Sequence, residues 1–496
     1  MGVVIKQSFW GTFIAYFGVI IGYVNTLYLR PQFFSLDEIG LFTLVTANAM
    51  MISPLTSVGM SGTFIKFYPL LKDSKRLINQ FFTFQLSLII LTNAVIVLIA
   101  LWNRDWITEM ISKGSSDYAN YLAITAIIVI VNSLFDQLYA YCSSVLKVIF
   151  PAFLREVFLR FGAIVLVLGY AGGYFGFDWA VQGLAINYAI VLVLLFAHLI
   201  IFNKLRFDFS FSLIDKKWRR RVFDFSIYSM SLAVSFAIFN NASYTQVSSM
   251  LGDASNGIFV TCFFIGVIVE MPRRNMARII SPILSETMAS SNVKETELIY
   301  KKSSITMSVI GLLIFIGIMT NLEDLFSFIP KGDEFSEGYW VVLSVCGAKL
   351  VMMFSSFAGE IIGYSKFYKT NLVLQWLSAI VLIILNYFLL PKYGLNGVAF
   401  SYFVAVLFHS VTKYWFVLRR FHIHPFMKSH LALIGISVLL FVAFYLFDTS
   451  LSPVITIILR STLTTIVFTI LIYKMKISTD INKLVDLLIS KLKTTK

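Results

Sequence analysis

The chain has 496 residues, of which 58% are hydrophobic and 16% aromatic, while only 13% carry charge, about half the share in soluble domains. So little polar surface excludes a water-soluble globular protein. Solid apolar runs without dyad alternation exclude a transmembrane β-barrel. The net charge of +14 is the one compositional hint of a nucleic-acid partner, and its distribution along the chain argues against one.

Apolar stretches of roughly 18 or more residues recur throughout, each a candidate membrane helix. A bilayer leaves the backbone no other partner than its own helix, so the expected class is an all-α polytopic membrane protein. Fourteen transmembrane spans are expected: 8–29, 40–65, 79–101, 118–146, 151–171, 179–202, 224–247, 257–284, 303–322, 339–364, 369–390, 396–418, 430–447 and 453–473. The first span follows the N-terminus without a small-residue cleavage site, so no signal peptide is expected. Lys6 stands where a myristoylation motif needs Ser or Thr.

The basic residues sort by side. With the N-terminus in the cytoplasm, the inner links carry Lys72, Lys75 and Arg76, then Lys204 to Arg221, then Lys294, Lys301 and Lys302, then Arg419, Arg420 and Lys428. The outer links keep only Arg30, Arg104, Lys113, Lys331 and Lys392. That asymmetry predicts a multi-pass protein with both termini cytoplasmic. A basic face against anionic lipid headgroups accounts for the charge, with no nucleic acid required. The tail 476–496 places Ile477, Ile481, Leu484, Leu488 and Leu492 at helical spacing among lysines, the pattern of an amphipathic surface helix.

An internal repeat relates 39–72 to 256–286, with Gly40 matching Gly257, and 177–198 to 393–410, with Gly183 matching Gly397. Six spans separate the copies, so both halves share one orientation. The expected layout is an N-terminal six-helix half (1–202), a basic linker (203–222), a second six-helix half (223–418), two further helices (419–475) and the tail. Such repeats enclose a central cavity and suit alternating access.

The segments "FSLDEIGLFTLV" (34–45), "KVIFPAFLREVFLRFGAIVLVL" (147–168) and "LLPKYGLNGVAFSYFVAVLF" (389–408), together with the span count, resemble the multidrug/oligosaccharidyl-lipid/polysaccharide superfamily. Within it the chain is most similar to the Wzx-type O-antigen and capsule flippases. The resemblance implies transport of a polyprenyl-pyrophosphate-linked oligosaccharide, a cationic cavity for the pyrophosphate and sugars, and coupling to an ion gradient of H⁺ or Na⁺. It implies no enzyme activity and no other cofactor; the partners are the lipid-linked glycan, membrane lipids and polysaccharide-assembly proteins.

Charged residues inside spans are costly and mark pathways or partners. The stretch "VIVEMPRRNMARIISPILSE" (267–286) holds Glu270, Arg273, Arg274 and Arg278 in nine residues. At helical spacing Glu270, Arg274 and Arg278 share a face, with Arg273 beside it. Glu270 and Arg274, four apart, can pair, which leaves Arg273 and Arg278 as uncompensated cations. Guanidinium forks suit phosphate, so Arg273, Arg274 and Arg278 are expected to line the cavity; the alternative is a span ending near Met271 with the arginines at the cytoplasmic interface. Arg30, Asn25, Asn241 and Lys349 are further substrate-binding candidates. Asp136, Glu270 and Glu360 are candidates for ion coupling, and an internal pair between Asp136 and Lys349 is an open alternative. Cys142, Cys262 and Cys346, like the five histidines, have no metal-ligand spacing.

Two rival functions remain at this point. A multidrug antiporter on the same fold would favour acidic cavity residues. A polysaccharide polymerase or lipid-dependent glycosyltransferase would carry a long catalytic external loop, and the links 102–117 and 323–338 are short. A purely structural scaffold would not need charge inside a helical core.

Overall fold

The computed structural model describes residues 2–103, 117–203, 205–210, 216–447 and 451–494. Of the charge pattern, Arg104, Lys113, Lys204 and Lys496 lie outside the described residues, as does most of the 102–117 link. The described residues are helical, with no strand among them. Among the described residues, eleven helices are long and apolar enough to cross a membrane, or twelve if one bent pair forms a single span.

The expected fourteen differs for local reasons. The spans 369–390 and 396–418 are two helices that meet at a kink, the non-helical Gly394 (φ 56°, ψ −136°), and the run Tyr368–Phe421 counts once among the eleven. The expected span 151–171 forms one continuous helical run, Ile149–Ala171, with a π turn at Leu154–Phe158; Arg155, Glu156 and Arg160 leave too much charge in it for it to count among the eleven. A π turn inserts one residue into a helix and leaves no mark in hydropathy.

The chain forms two compact units, Met1–Val260 and Thr261–Lys496. In the first, α1 (Gly2–Tyr23) continues through a π turn at Val24–Leu29 into α2 (Arg30–Phe33). Then come α3 (Leu36–Thr56), α4 (Met60–Leu71), α5 (Lys75–Trp102) and α6 (Leu122–Ser144). Next are α7 (Ile149–Phe153), α8 (Leu159–Ala171), α9 (Phe177–Asn203) and α10 (Lys216–Leu251). The start of α3 is written in the sequence: Ser35 and Glu38 form a reciprocal capping box, with bonds of 3.2 and 2.7 Å. Gly59, at φ 67°, permits the left-handed turn between α3 and α4. Core packing is aromatic, with Phe64 against Phe81, Phe82 and Tyr141 at centroid distances of 5.6–5.8 Å.

Two glycine contacts set helix approaches in this unit. Gly18 and Gly22, four apart on α1, meet the Glu156 carbonyl and the Arg160 side chain, a close approach that small residues allow in membrane helices. The repeat glycines meet across the starts of α3 and α11 (Asp253–Val267). A Cβ on Gly40 would lie 2.0 Å from the Asp253 carbonyl oxygen, and one on Gly257 would lie 2.2 Å from that of Leu36. The shift that carries Gly40 onto Gly257 also carries Leu36 onto Asp253. The contact is therefore reciprocal, a local two-fold built from the two copies of the repeat.

The second unit begins within α11 and continues through a 3₁₀ turn at Ile268–Glu270 into α12 (Met271–Ala289) and α13 (Val293–Met319). Short α14 (Leu322–Phe328) and α15 (Gly332–Ser336) precede α16 (Tyr339–Ser355) and α17 (Ala358–Tyr364), a pair bent by 51°. Then follow α18 (Tyr368–Phe421), α19 (Lys428–Tyr445), α20 (Pro453–Lys474) and α21 (Thr479–Thr494). The tail helix forms where its pattern predicts. Its apolar face is shared: Ile477 is buried and Ile481 packs on the same core cluster, while Leu484 is exposed. The side chains of Leu488 and Leu492 lie outside those described.

Candidate functional site

The 3₁₀ turn at Ile268–Glu270 ends one helix and starts the next, and Pro272 occupies the first turn of α12, where a missing N–H costs nothing. This places Glu270 inside the second unit, only 5% exposed at its side chain. Three cations converge on it: Lys349 Nζ at 2.8 Å, Arg274 at 3.3 Å and Arg273 at 3.4 Å. Lys349 comes from α16, is 3% exposed, and lies 5.5 Å from the Tyr402 ring centroid.

Arg273 reaches a second carboxylate, Glu360 of α17, at 3.2 Å. Its Nη1 also donates to the Ser356 carbonyl oxygen at 3.3 Å. Ser356 sits in the break between α16 and α17 at φ 48°, ψ −116°, outside the left-handed well that such residues tolerate. Its hydroxyl bonds Ser303 at 3.1 Å. The bent pair thus turns a backbone acceptor toward a guanidinium.

Behind Glu360, α18 contributes Lys413, a buried residue whose Nζ donates to Gln375 Oε1 at 3.4 Å. Gly359 leaves it room, since a Cβ there would lie 3.2 Å from the Lys413 ammonium. Four cations, Arg273, Arg274, Lys349 and Lys413, therefore surround two carboxylates, Glu270 and Glu360. The surplus is positive, and its outer edge is open. Arg274 is 53% exposed. Arg278, one turn on, is exposed and has no ion-pair partner among the described residues.

This geometry revises the expected pattern. Arg273 is not an uncompensated cation; it turns inward and bridges both carboxylates, because the break at Ser356 brings Glu360 and a free carbonyl to it. Glu270 pairs with Arg274 as expected, and with Lys349 as well. The cations at the outer edge are Arg274, paired with Glu270 but half exposed, and Arg278, unpaired among the described residues.

The other candidates lie in the first unit. Asp136 of α6 pairs with Arg155 at 2.5 Å, so Asp136 and Lys349 each have a partner in their own unit. Arg155 and Glu156 lie within the π turn, and Glu156 pairs with Arg160 at 3.0 Å. Arg30 donates to Thr43 Oγ1 at 3.2 Å and stacks over Phe42 at 4.7 Å. Asn25 is buried in the other π turn. Asn241 spends its amide on the Ala237 carbonyl, at 2.9 Å. Arg155, Arg160 and Lys413 were not singled out from the sequence. Their charge inside apolar runs was the available signal.

No protein-family model matches the chain. It is 23% identical over 235 residues to the capsular polysaccharide biosynthesis protein CapF of Staphylococcus aureus, a match covering 43% of this chain and 58% of that protein. The chain thus spans little more than half the length of this curated relative. Among solved structures it is similar to the lipid II flippase MurJ in an inward closed conformation, with TM-score 0.74 and 16% identity over 94% of this chain and 99% of MurJ. It is also similar to an inward-facing multidrug resistance MATE family transporter of the MOP superfamily, with TM-score 0.63 and 15% identity over 84% and 94% of the two chains. The chain has the fold these transporters share, and the resemblance to their superfamily holds at the level of fold.

Proposed function

We propose that the protein is a flippase that moves a polyprenyl-pyrophosphate-linked oligosaccharide across a bacterial cytoplasmic membrane by alternating access. The product would feed O-antigen, capsule or another surface polysaccharide. One observation carries the reading: the second unit holds a surplus of positive charge, with Glu270 and Glu360 pairing Arg273, Arg274 and Lys349, Lys413 buried beside them, and the half-exposed Arg274 and the exposed Arg278 at the outer edge. Ionisable groups inside membrane-spanning segments are expensive and are kept for a partner. A pyrophosphate is a partner of matching charge, and guanidinium forks bind it through paired oxygens. The glycan would travel with the headgroup while the polyprenyl chain stays in lipid.

The basic links support a cytoplasmic position for both termini. Asp136, Glu270 and Glu360 are the carboxylates through which H⁺ or Na⁺ would couple to the cycle. Each sits in an ion pair, so taking up a cation there would release an arginine or lysine. Arg30, Asn25, Asn241 and Lys349 remain proposed substrate contacts, and polysaccharide-assembly proteins the proposed partners. A drug antiporter for organic cations fits a cationic site poorly.

Binding tests this reading before transport does. A ligand that binds only the folded state at 100 times its Kd stabilises by about 2.7 kcal/mol. Polyprenyl pyrophosphate should raise the melting temperature of the purified protein more than polyprenyl monophosphate. Arg274→Gln with Arg278→Gln should remove that difference. Equal shifts with both lipids in the unmodified protein would contradict a pyrophosphate site.

A further inference from the structure

The first unit contains a cavity of about 500 Å³, away from every charged residue discussed above. It lies between α3, α5 and α6, and its volume is that of an ordinary small-molecule site. Its walls are apolar, with Met51, Ile96, Val97, Leu122, Ala126 and Val129 among them, and among the described residues no charged side chain lines it.

Polar residues at the rim are mostly engaged with one another. Thr245 donates to Asn48 Oδ1 at 2.5 Å, Asn93 Nδ2 donates to the Ile89 carbonyl at 2.8 Å and to Ser133 at 2.9 Å, and Tyr118 pairs with Thr125 at 3.1 Å. The two amide atoms left over, Asn48 Nδ2 and Asn93 Oδ1, are buried in the protein. A charged or strongly hydrogen-bonding ligand would therefore lose its water and gain little.

The surroundings say what can enter. The wall on α5 continues into Leu98, Leu101 and Trp102, which are 65%, 65% and 90% exposed on one of the most apolar candidate spans. In a bilayer that surface faces lipid. From Asn93 to Leu101 the cavity runs about 12 Å along the helix at 1.5 Å per residue. Asn120 and Tyr118 border its other wall, where the chain enters α6. We infer that this cavity receives an acyl chain of a membrane phospholipid, whose headgroup stays at the end where α5 stops and α6 starts. The occupant is a bilayer lipid rather than a transported one, and the site stands whether or not the flippase reading does.

The test uses the full chain in phospholipid nanodiscs. One lipid carries a photoactivatable diazirine on its acyl chain, and a polyprenol with the same group is run in parallel. Peptide mapping after illumination should find acyl-chain adducts on the cavity walls of α3, α5 and α6. Ala126→Trp fills the space and should abolish those adducts, while labelling of the outer α5 face at Leu98 persists and reports an intact fold. Ala126→Leu, a milder filling, should reduce them. Adducts unchanged in Ala126→Trp would overturn the proposal, as would cavity labelling by the polyprenol and not by the phospholipid.

Discussion

The Lys349–Glu270 pair offers the sharpest test of the ionic core. The 2.8 Å separation corresponds to about 6 kcal/mol of attraction at an effective dielectric of ~20. Arg273 at 3.4 Å adds about 5 kcal/mol on the same basis, and the exposed Arg274 less, because solvent screens it. Dehydration offsets several kcal/mol per ion, so removing one partner of a buried pair costs a net ~3–5 kcal/mol. The two single substitutions should not be equal. Lys349→Met leaves Glu270 with two guanidiniums and should fall near ~3 kcal/mol, whereas Glu270→Gln strands a 3% exposed ammonium and should reach ~5 kcal/mol. The double variant replaces the pair by neutral side chains and should recover ~2–3 kcal/mol relative to additivity. Reversible unfolding in mixed micelles reads all three. Additive losses in the double variant, or single losses below ~1 kcal/mol as at an exposed pair, would refute the buried network.

Other perturbations have similarly definite outcomes. Gly40→Ala and Gly257→Ala each drive a Cβ into a backbone carbonyl and should cost ~1–3 kcal/mol in thermal stability. Gly317→Ala, with open space around it, should be neutral or stabilising by up to ~1 kcal/mol. Arg460 of α20 donates to the Thr320 and Phe447 carbonyls and pairs with Asp324 at 2.9 Å. Arg460→Met should cost ~3–5 kcal/mol and raise hydrogen exchange in α14 and α20 first. Outside the spans, the Ser210 hydroxyl and backbone N–H, with Gln80 and Arg76, hold the Asp208 carboxyl down to about 2. A depressed acid contributes stability above its ordinary value and loses it as pH falls through the folded one. Docking of residues 205–210 should therefore persist in mild acid and fail only near pH 2. In Ser210→Ala it should fail at higher pH, as read by amide protection.

Much of the fold is legible in the chain. Apolar runs mark the helices, Ser35 with Glu38 fixes the start of α3, and Asn292 caps α13 from three residues before Glu295. The repeat glycines are legible as a pattern, and the structure gives the pattern its cause in the reciprocal Gly40 and Gly257 contacts. The span count is less legible. Arg155, Glu156 and Arg160 make the run Ile149–Ala171 too charged to count as a span by composition, and the kink at Gly394 joins two helices into one unbroken run.

The site was half legible. Charge within 267–286 located Glu270 and its arginines, because so few residues in apolar runs are ionisable. The i,i+4 rule found the Arg274 bond. Lys349 and Glu360 stand out by their charge alone, but their contacts with Glu270 and Arg273 depend on how α16 and α17 break at Ser356. For the same reason Arg273 reads as free from one helix and as doubly bound in the packed unit.

The central claim is that the cations at the outer edge of this network move a pyrophosphate-linked glycan. It is tested most directly by leaflet translocation of a fluorescent polyprenyl-pyrophosphate oligosaccharide in vesicles holding the purified protein. Arg274→Gln with Arg278→Gln keeps every buried cation in place and should fold normally yet abolish translocation. Full transport by that variant would contradict the claim.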